Sequence, residues 1–491
     1  MKGFHMNTRK ITAVSLATLS LTLCSCSSVS TSRELPPPNT FPPQNTIESE
    51  YSTEDTTVPI STETTEAATS DVTKKVQYRG NIYDVKGRLL SYSSPENGSK
   101  RIYTAEYAVP FANVITEMSD GYDKTFNDLL TVKNPAPVNG SEEIGQSIQI
   151  TIDADVQKRI YEYMQSVNLD GTIVVMRNDG SVMAQVSYPS YDPNAVAVQT
   201  YDEKLAWGDC GNKAFQNYQP GSCFKIMSEV IADKHGITSL HDEGTWVFED
   251  TSIVNWDHDT NFNYPMERSL SSAFVNSSNI FFAKAFDQIG TEAVLADLNE
   301  MFHFGTDIQC DFGTLENNIE IYCPDDLRRT AFGQSYLLTC PLYLAALGRE
   351  AAFGDMVRPF VLKNTVDTND PEKITGKGST PHDVIASIPE NLRPNLLDGM
   401  KNVAANLGIT TPSGYTLYAK TGTAETWEGD FLYITGCLKK DGDDGSDKCD
   451  YDNYDGSYTV IMELQNPIAH GFSFASDSAQ IYGGALNILA G

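Results

Sequence analysis

The sequence predicts an α/β fold: one sheet drawn from distant parts of the chain, with a helical lobe inserted between its two halves. Three observations carry this reading. Strand-like alternation clusters at 147–186 and returns at 416–464, the stretch between reads mostly as helix, and a helical segment from Ser476 to Ala490 closes the chain. With 491 residues, 40% of them hydrophobic, the chain can bury a sizeable core and fits two or three folding units.

The first 26 residues read as an export signal. Lys2, Arg9 and Lys10 form a basic start, and Ile11 to Leu23 is an uncharged apolar run of 13 residues. That suits a signal core and falls short of the ~20 residues that span a bilayer. The run ends in Leu23-Cys24-Ser25-Cys26, which resembles a bacterial lipobox. Cys26 is the lipidation candidate, because the small Ser25 precedes it; Cys24 follows the bulky Leu23 and fits less well. The expected location is extracytoplasmic, on the outer face of the cell membrane. An ordinary signal peptide or a short uncleaved anchor is the alternative.

Residues 27–75 are expected to be a disordered linker. Ser27 to Thr73 holds 19 Ser or Thr, six Pro, no Gly and a net charge of −7. Such a segment cannot bury enough apolar surface to offset its ordering entropy. Over the whole chain, 35 Lys and Arg face 65 Asp and Glu, a formal charge of −30, which argues against a nucleic-acid partner.

Order resumes near Val76. Arg79-Gly80-Asn81-Ile82-Tyr83-Asp84 and Arg88 to Tyr92 read as two strands around Gly87, and 76–146 gives a small first unit. From Ser147 the pattern sharpens and runs to 491 as the main domain. Ser147 to Ile152 alternates as a strand, Asp155 to Val167 has helical spacing, and Thr172 to Met176 turns at Gly180 into Val182 to Val186. Strands return at Thr416 to Ala419, Phe431 to Cys437 and Tyr458 to Leu464. Asp441 to Gly456, with seven Asp and one Lys, reads as a solvated loop rather than a calcium site, because it lacks EF-hand spacing. Seven cysteines remain beyond the lipobox; Cys310 with Cys323 and Cys437 with Cys449 are spaced either to close small loops or to stay as thiols.

Three short motifs carry chemistry. Ser222-Cys223-Phe224-Lys225 follows Pro220-Gly221, a helix-start signal, and sets an amine three residues from a hydroxyl on one face. No other lysine in the chain has serine three residues before it. Ser277-Ser278-Asn279 lies between two helical patterns, Ser269 to Phe274 and Ile280 to Gln288, where a turn can aim a hydroxyl and an amide into a cleft. Lys420-Thr421-Gly422-Thr423 ends an alternating strand, with Gly422 leaving a gap for another backbone, as a peptide added at a sheet edge would require. The seven histidines are scattered and anchor neither a zinc site nor a Ser-His-Asp triad.

Together, Ser-x-x-Lys at 222, Ser-x-Asn at 277 and Lys-Thr-Gly at 420 resemble the serine penicillin-recognising enzymes. Arg79-Gly80-x-Ile82-x-Asp84, Asp153, Gln157, Tyr188-Pro189-Ser190-Tyr191-Asp192-Pro193-Asn194 and Gly333-Gln334 narrow the resemblance to class B penicillin-binding proteins. Phe111-Ala112-Asn113-Val114 resembles the subgroup with a small N-terminal pedestal domain, here 76–146.

The resemblance implies a penicillin-binding transpeptidase fold over 147–491: an antiparallel sheet flanked by helices, plus an all-helical lobe. It implies a peptidoglycan D,D-transpeptidase acting on stem peptides through a Ser222 acyl-enzyme, with carboxypeptidase side activity where water replaces the acceptor amine. On that mapping Ser222 is the nucleophile, Lys225 its base and Ser277 a proton relay. Asn279 holds the substrate amide, Lys420 and Thr423 bind the terminal carboxylate with Thr421 and Gly422 among the substrate-binding residues, and the N–H groups of Ser222 and Thr423 form the oxyanion hole. β-Lactams are the implied covalent inhibitors, and no cofactor or metal is implied.

Some residues depart from the pattern. Cys223 stands where the family usually has Thr, and Val85 where an Arg is common. A lipid and tether would replace the N-terminal helix through which the family contacts a membrane glycosyltransferase, which puts that partner in doubt. A β-lactamase is the competing enzyme, but the nearest match to its Glu-x-x-Leu-Asn motif, Glu292-Ala293-Val294-Leu295-Ala296, lacks the Asn. A non-catalytic β-lactam-binding scaffold is the competing non-enzyme; a sensor with a metalloprotease is excluded by the lack of His-Glu-x-x-His.

Overall fold

Five strands place apolar residues in two separate environments and so need cover on both faces. In Gly171–Met176, Ile173 and Val175 point into one cluster while Val174 and Met176 point into the other; Leu432 and Ile434 alternate in the same way with Phe431 and Tyr433. In this computed structural model the described residues are 78–93, 96, 100–116, 121–134, 143–195, 210–248, 251–426, 429–446, 449–467, 471–472 and 476–490. The expected export signal, Cys26 and the linker to residue 75 lie outside them.

The main sheet is antiparallel throughout, in the order Tyr415–Thr426, Gly429–Lys440, Tyr458–Gln465, Gly171–Met176 and Val182–Tyr188. Ala154–Ser166 and Ser476–Leu489 cover one face through Ile160, Met164, Tyr482 and Leu486. Pro341–Phe353, buried at every residue, covers the other face and separates the sheet from the lobe. Tyr415–Thr426 runs well past the expected Ala419, because Lys420 to Thr426 pair residue for residue with Thr435 back to Gly429. Polar residues hide this part of the strand from a hydrophobic pattern.

A second sheet has the order Asp370–Lys377, Leu362–Asp367, Ser147–Ile150, Ile82–Tyr83, Leu89–Ser93 and Arg101–Tyr103. The boundary expected at residue 146 therefore falls inside a sheet, where Ile82 pairs with Ile148 and Ile148 pairs with Thr365. Asp84 fastens the junction. Its carboxylate accepts from the backbone N–H groups of Lys86, Arg88 and Ala154 and from the Arg88 guanidinium. Asn113 donates to the carbonyls of Pro189, Cys210 and Gly211, and Gln157 to those of Pro110 and Gln185, so these motif residues are joints of the scaffold.

The lobe is helical at its centre, with Leu270–Val275, Asn279–Ile289 and Thr291–Phe302. Two-stranded ribbons edge it, among them Ser239–Asp242 with Met266–Ser269 and Thr245–Phe248 with Thr251–Val254, so it is not helical throughout. Strands this short, partly exposed on both faces, give little periodic signal. The seven described cysteines are all free. In the aspartate-rich loop, Asp441, Asp444, Asp450, Asp452 and Asp455 are exposed, as a solvated loop requires. Yet Tyr451 and Tyr454 set their rings 5.2 and 5.6 Å from the Arg177 guanidinium, and Asp443 accepts from Asn178, which pins the loop to the main sheet.

Glu229 sits at 1% exposure with no hydrogen-bond partner on either carboxyl oxygen, and burial pushes its pKa up to about 8. The folded state therefore holds a proton that the unfolded chain, titrating near ~4.3, releases. The stability tied to that proton is complete below the unfolded value and is lost as pH rises through the folded one. Glu229→Gln should thus melt at a higher temperature than the parent, with the gap widening from pH ~4 toward pH ~8. A gap independent of pH would show the carboxyl to be ionised in the fold.

Candidate active site

Ser222 lies in a short 3-10 turn, Gly221–Phe224, that leads into the helix Lys225–Lys234. The turn is wedged between two backbones. Gly221 has φ +52°, and a Cβ there would sit 2.2 Å from the Thr423 carbonyl oxygen; a Cβ on Gly333 would sit 1.9 Å from that of Gly221. Gly422 completes the fit, since its Cβ would fall 2.6 Å from the Pro220 carbonyl oxygen and 2.9 Å from the Cys223 sulfur. The gap expected at Gly422 for a bound peptide is occupied by the chain's own nucleophile turn. Tyr415–Thr426 is nevertheless an edge strand, with Thr423 exposed and Thr421 half-buried on it.

The three motifs converge on one amine. Lys225 Nζ is 2.9 Å from Ser222 Oγ, 2.8 Å from the Ser277 carbonyl oxygen, 3.2 Å from Ser277 Oγ and 2.7 Å from Asn279 Oδ1. Lys420 Nζ donates to Ser277 Oγ at 3.2 Å and to the Thr421 carbonyl at 3.0 Å. Ser277 thus bridges the two lysines. Its backbone is left-handed, at φ +56°, an uncommon state for a residue with a side chain. Asn279 turns its amide nitrogen to the Val254 carbonyl at 3.0 Å and its oxygen to Lys225, so both ends of that side chain are engaged.

Electrostatics follow from burial. Lys225 is fully buried; burial, reinforced by the Lys420 cation, holds its pKa well below the ordinary lysine range. Burial likewise lowers Lys420 to about 8. A neutral Lys225 offers its lone pair to the Ser222 hydroxyl, which is what a general base requires. The Cys223 thiol, raised to about 12 by burial, stays protonated and donates weakly to the Lys420 carbonyl at 3.5 Å. Glu292, the nearest sequence match to a β-lactamase base, is exposed in the first turn of Thr291–Phe302.

Sequence reasoning missed the residues behind this cluster. Asp242, Asn255, Tyr264 and Arg268 form a hydrogen-bonded unit under Ser278 and Asn279, and none belongs to a motif. Trp256, itself exposed, donates its indole N–H to the carbonyl of Asn276, next to Ser277.

Residues 171–438 match the family model described as the penicillin binding protein transpeptidase domain. The chain belongs to this family. Penicillin-binding protein 3 of Bacillus subtilis is 26% identical over 349 residues, covering 66% of this chain and 48% of that protein. Peptidoglycan D,D-transpeptidase MrdA of Haemophilus influenzae is 25% identical over 378 residues, covering 68% and 55%. The chain thus spans about half the length of these two curated relatives. Peptidoglycan D,D-transpeptidase PbpA of Mycolicibacterium smegmatis is 26% identical over 386 residues, covering 69% and 76%. Among solved structures, penicillin-binding protein A of M. tuberculosis as an imipenem acyl-enzyme complex shares the fold, with a TM-score of 0.68 at 20% identity over 84% of this chain and 98% of that one. Pseudomonas aeruginosa PBP2 shares it with a TM-score of 0.65 at 19% identity, over 85% and 97%.

Gly422→Ala should lower the rate of acylation by a β-lactam by about tenfold or more, because the added methyl must displace the nucleophile turn. Stopped-flow labelling reads this directly, and a rate within twofold of the parent would show that the turn yields freely. Native protein treated with Ellman's reagent should react at the exposed Cys323 and keep its acylation rate, since Cys223 is buried and protonated.

Proposed function

We propose that this chain is a serine-type peptidoglycan D,D-transpeptidase that cross-links stem peptides through an acyl-enzyme on Ser222. The observation that carries the reading is the buried Lys225 amine, 2.9 Å from Ser222 Oγ and depressed in pKa by burial and by Lys420. Lys225 takes the Ser222 proton as Oγ bonds to the carbonyl carbon of the penultimate D-Ala. Backbone N–H groups of Ser222 and Thr423 carry the oxyanion charge. The C–N bond to the terminal D-Ala then breaks, and its nitrogen takes back the proton from Lys225 through Ser277 Oγ, which bridges both lysines. The amine of a neighbouring strand attacks the ester, forms the new amide, and returns a proton to Ser222. Asn279 orients the substrate amide, while Lys420 and Thr423 receive the terminal carboxylate.

The names of the relatives and the β-lactam acyl-enzymes of the M. tuberculosis protein support this reading. Among the described residues no carboxylate is hydrogen-bonded to Ser222, Lys225, Ser277 or Lys420 to activate water, which favours a long-lived acyl-enzyme over a β-lactamase. The chain is further proposed to work outside the cytoplasm on a lipid at Cys26, with residues 27–75 as the tether and 76–146 as the pedestal of the domain at 147–491. A lipid and tether there would replace the contacts through which the family meets a membrane glycosyltransferase of the shape-elongation-division type.

A fluorescent penicillin should label Ser222 covalently, the adduct should persist for many minutes, and Ser222→Ala should not be labelled. Rapid turnover would make the protein a β-lactamase, and absence of labelling would make it a scaffold. Because the base acts only when neutral, the labelling rate should rise with pH through a limb well below the ~10.4 of an ordinary lysine. A limb at the ordinary value would remove Lys225 from that role.

A further inference from the structure

The Ser277–Asn279 turn is held from behind by polar groups that lie outside all three motifs. Asn255 is 1% exposed and Asp242 fully buried. Asn255 Oδ1 accepts from the backbone N–H of Asn279 at 2.7 Å and of Ile280 at 3.2 Å, capping the helix Asn279–Ile289. The opposite end of the same amide is fixed: Asn255 Nδ2 donates to both Asp242 oxygens at 2.8 and 3.0 Å and approaches the Tyr264 hydroxyl at 3.0 Å. The Asn255 amide can therefore face the helix only oxygen first. Asp242 also accepts from Ser278 Oγ at 2.7 Å and from Arg268 Nε at 2.7 Å, while Ser278 Oγ caps Phe281 N–H at 3.1 Å.

This double cap bears on the chemistry because of what it holds. A left-handed Ser277 is strained and persists only where its surroundings over-determine it. The caps fix the two residues that follow it. With them in place, the Ser277 carbonyl and Asn279 Oδ1 both point at Lys225 Nζ, as two of its four oxygen neighbours. We propose that Asn255 and Asp242 are positioning residues of the site, and that their buried unit sets the acceptor environment of the Lys225 amine by holding Ser277 and Asn279 against it.

The proposal rests on the acyl-enzyme reading above and adds residues to it. The ionisable groups that face Lys225 are Lys420 from the edge strand and the Cys223 thiol from its own turn. Asp242 and Arg268 are paired with each other behind Ser278. Carbonyl and amide acceptors favour the ammonium over the amine. Slackening the turn should therefore have two effects of different kind. Acylation should slow because Ser277 and Asn279 lose alignment, and the acidic limb of the rate should move to lower pH because Lys225 loses acceptors.

The test is the pH dependence of fluorescent-penicillin acylation, measured on the full chain with Asn255→Ala, Tyr264→Phe and a control. The control is Ser269→Ala, which removes the exposed cap of the preceding helix, Leu270–Val275. Asn255→Ala should acylate about 10- to 100-fold more slowly, with its acidic limb lowered by roughly half a unit or more. Tyr264→Phe, which removes one hydroxyl and keeps the ring, should shift the limb the same way by less, and it carries the test if Asn255→Ala does not fold. Ser269→Ala should leave the limb in place. The inference is overturned if the limb is unmoved in both Asn255→Ala and Tyr264→Phe, or in Tyr264→Phe when that is the only one to fold. Failure of the wild-type chain to acylate at all would instead overturn the transpeptidase reading.

Discussion

Everything at this site depends on keeping two amines out of water without giving either a carboxylate. Lys225 and Lys420 are buried, and the oxygens around them belong to hydroxyls, carbonyls and one amide. A buried ammonium with neutral neighbours is costly, so the pair is poised to lose protons. A single aspartate in contact would cancel the effect by stabilising the charge. The three glycine contacts bring the turn at Ser222 against the strand at Thr423 and the segment at Gly333, and so set the serine beside both lysines.

That requirement explains the architecture around it. No single element can present a serine, two lysines and a bridging hydroxyl to one point. The sheet edge supplies Lys420, the lobe supplies Ser277 and Asn279, and the turn between them with the helix it opens supplies Ser222 and Lys225. The wholly buried helix Pro341–Phe353 and the second sheet hold these parts together. The acidity of the chain stands apart from this centre. Its exposed aspartates at 441–455 lie on a loop pinned to Arg177.

What could be read in the sequence was what repeats or sits close together. Ser222 and Lys225 share a turn, and the apolar strands Thr172 to Met176 and Tyr458 to Leu464 announce themselves by composition. Ser277 and Asn279 carried weight only in company with the other two motifs. The far half of the edge strand was illegible because Lys420-Thr421-Gly422-Thr423 has no apolar alternation; its extended form is imposed by pairing with Gly429–Lys440. Asn255, Asp242 and Arg268 were hidden for another reason. They are isolated polar residues whose bonds to one another and to Ser278 span 13 to 36 residues, and nothing local marks them. The joint between 76–146 and the rest was equally silent, since Thr365 pairs with Ile148 across most of the lobe.

The order of strands in the main sheet has a consequence for how the protein comes into being. Tyr458–Gln465 lies at the middle of that sheet, between Gly429–Lys440 and Gly171–Met176, yet it is the last of the described strands to leave the ribosome. Until it is present, the edge strand bearing Lys420 has no link to the first half of the sheet. Closing so long a loop is slow, and the unpaired strands are exposed meanwhile. The catalytic cluster is therefore among the last features to form, and a chain cut short before residue 458 would carry all three motifs without the sheet that brings them together.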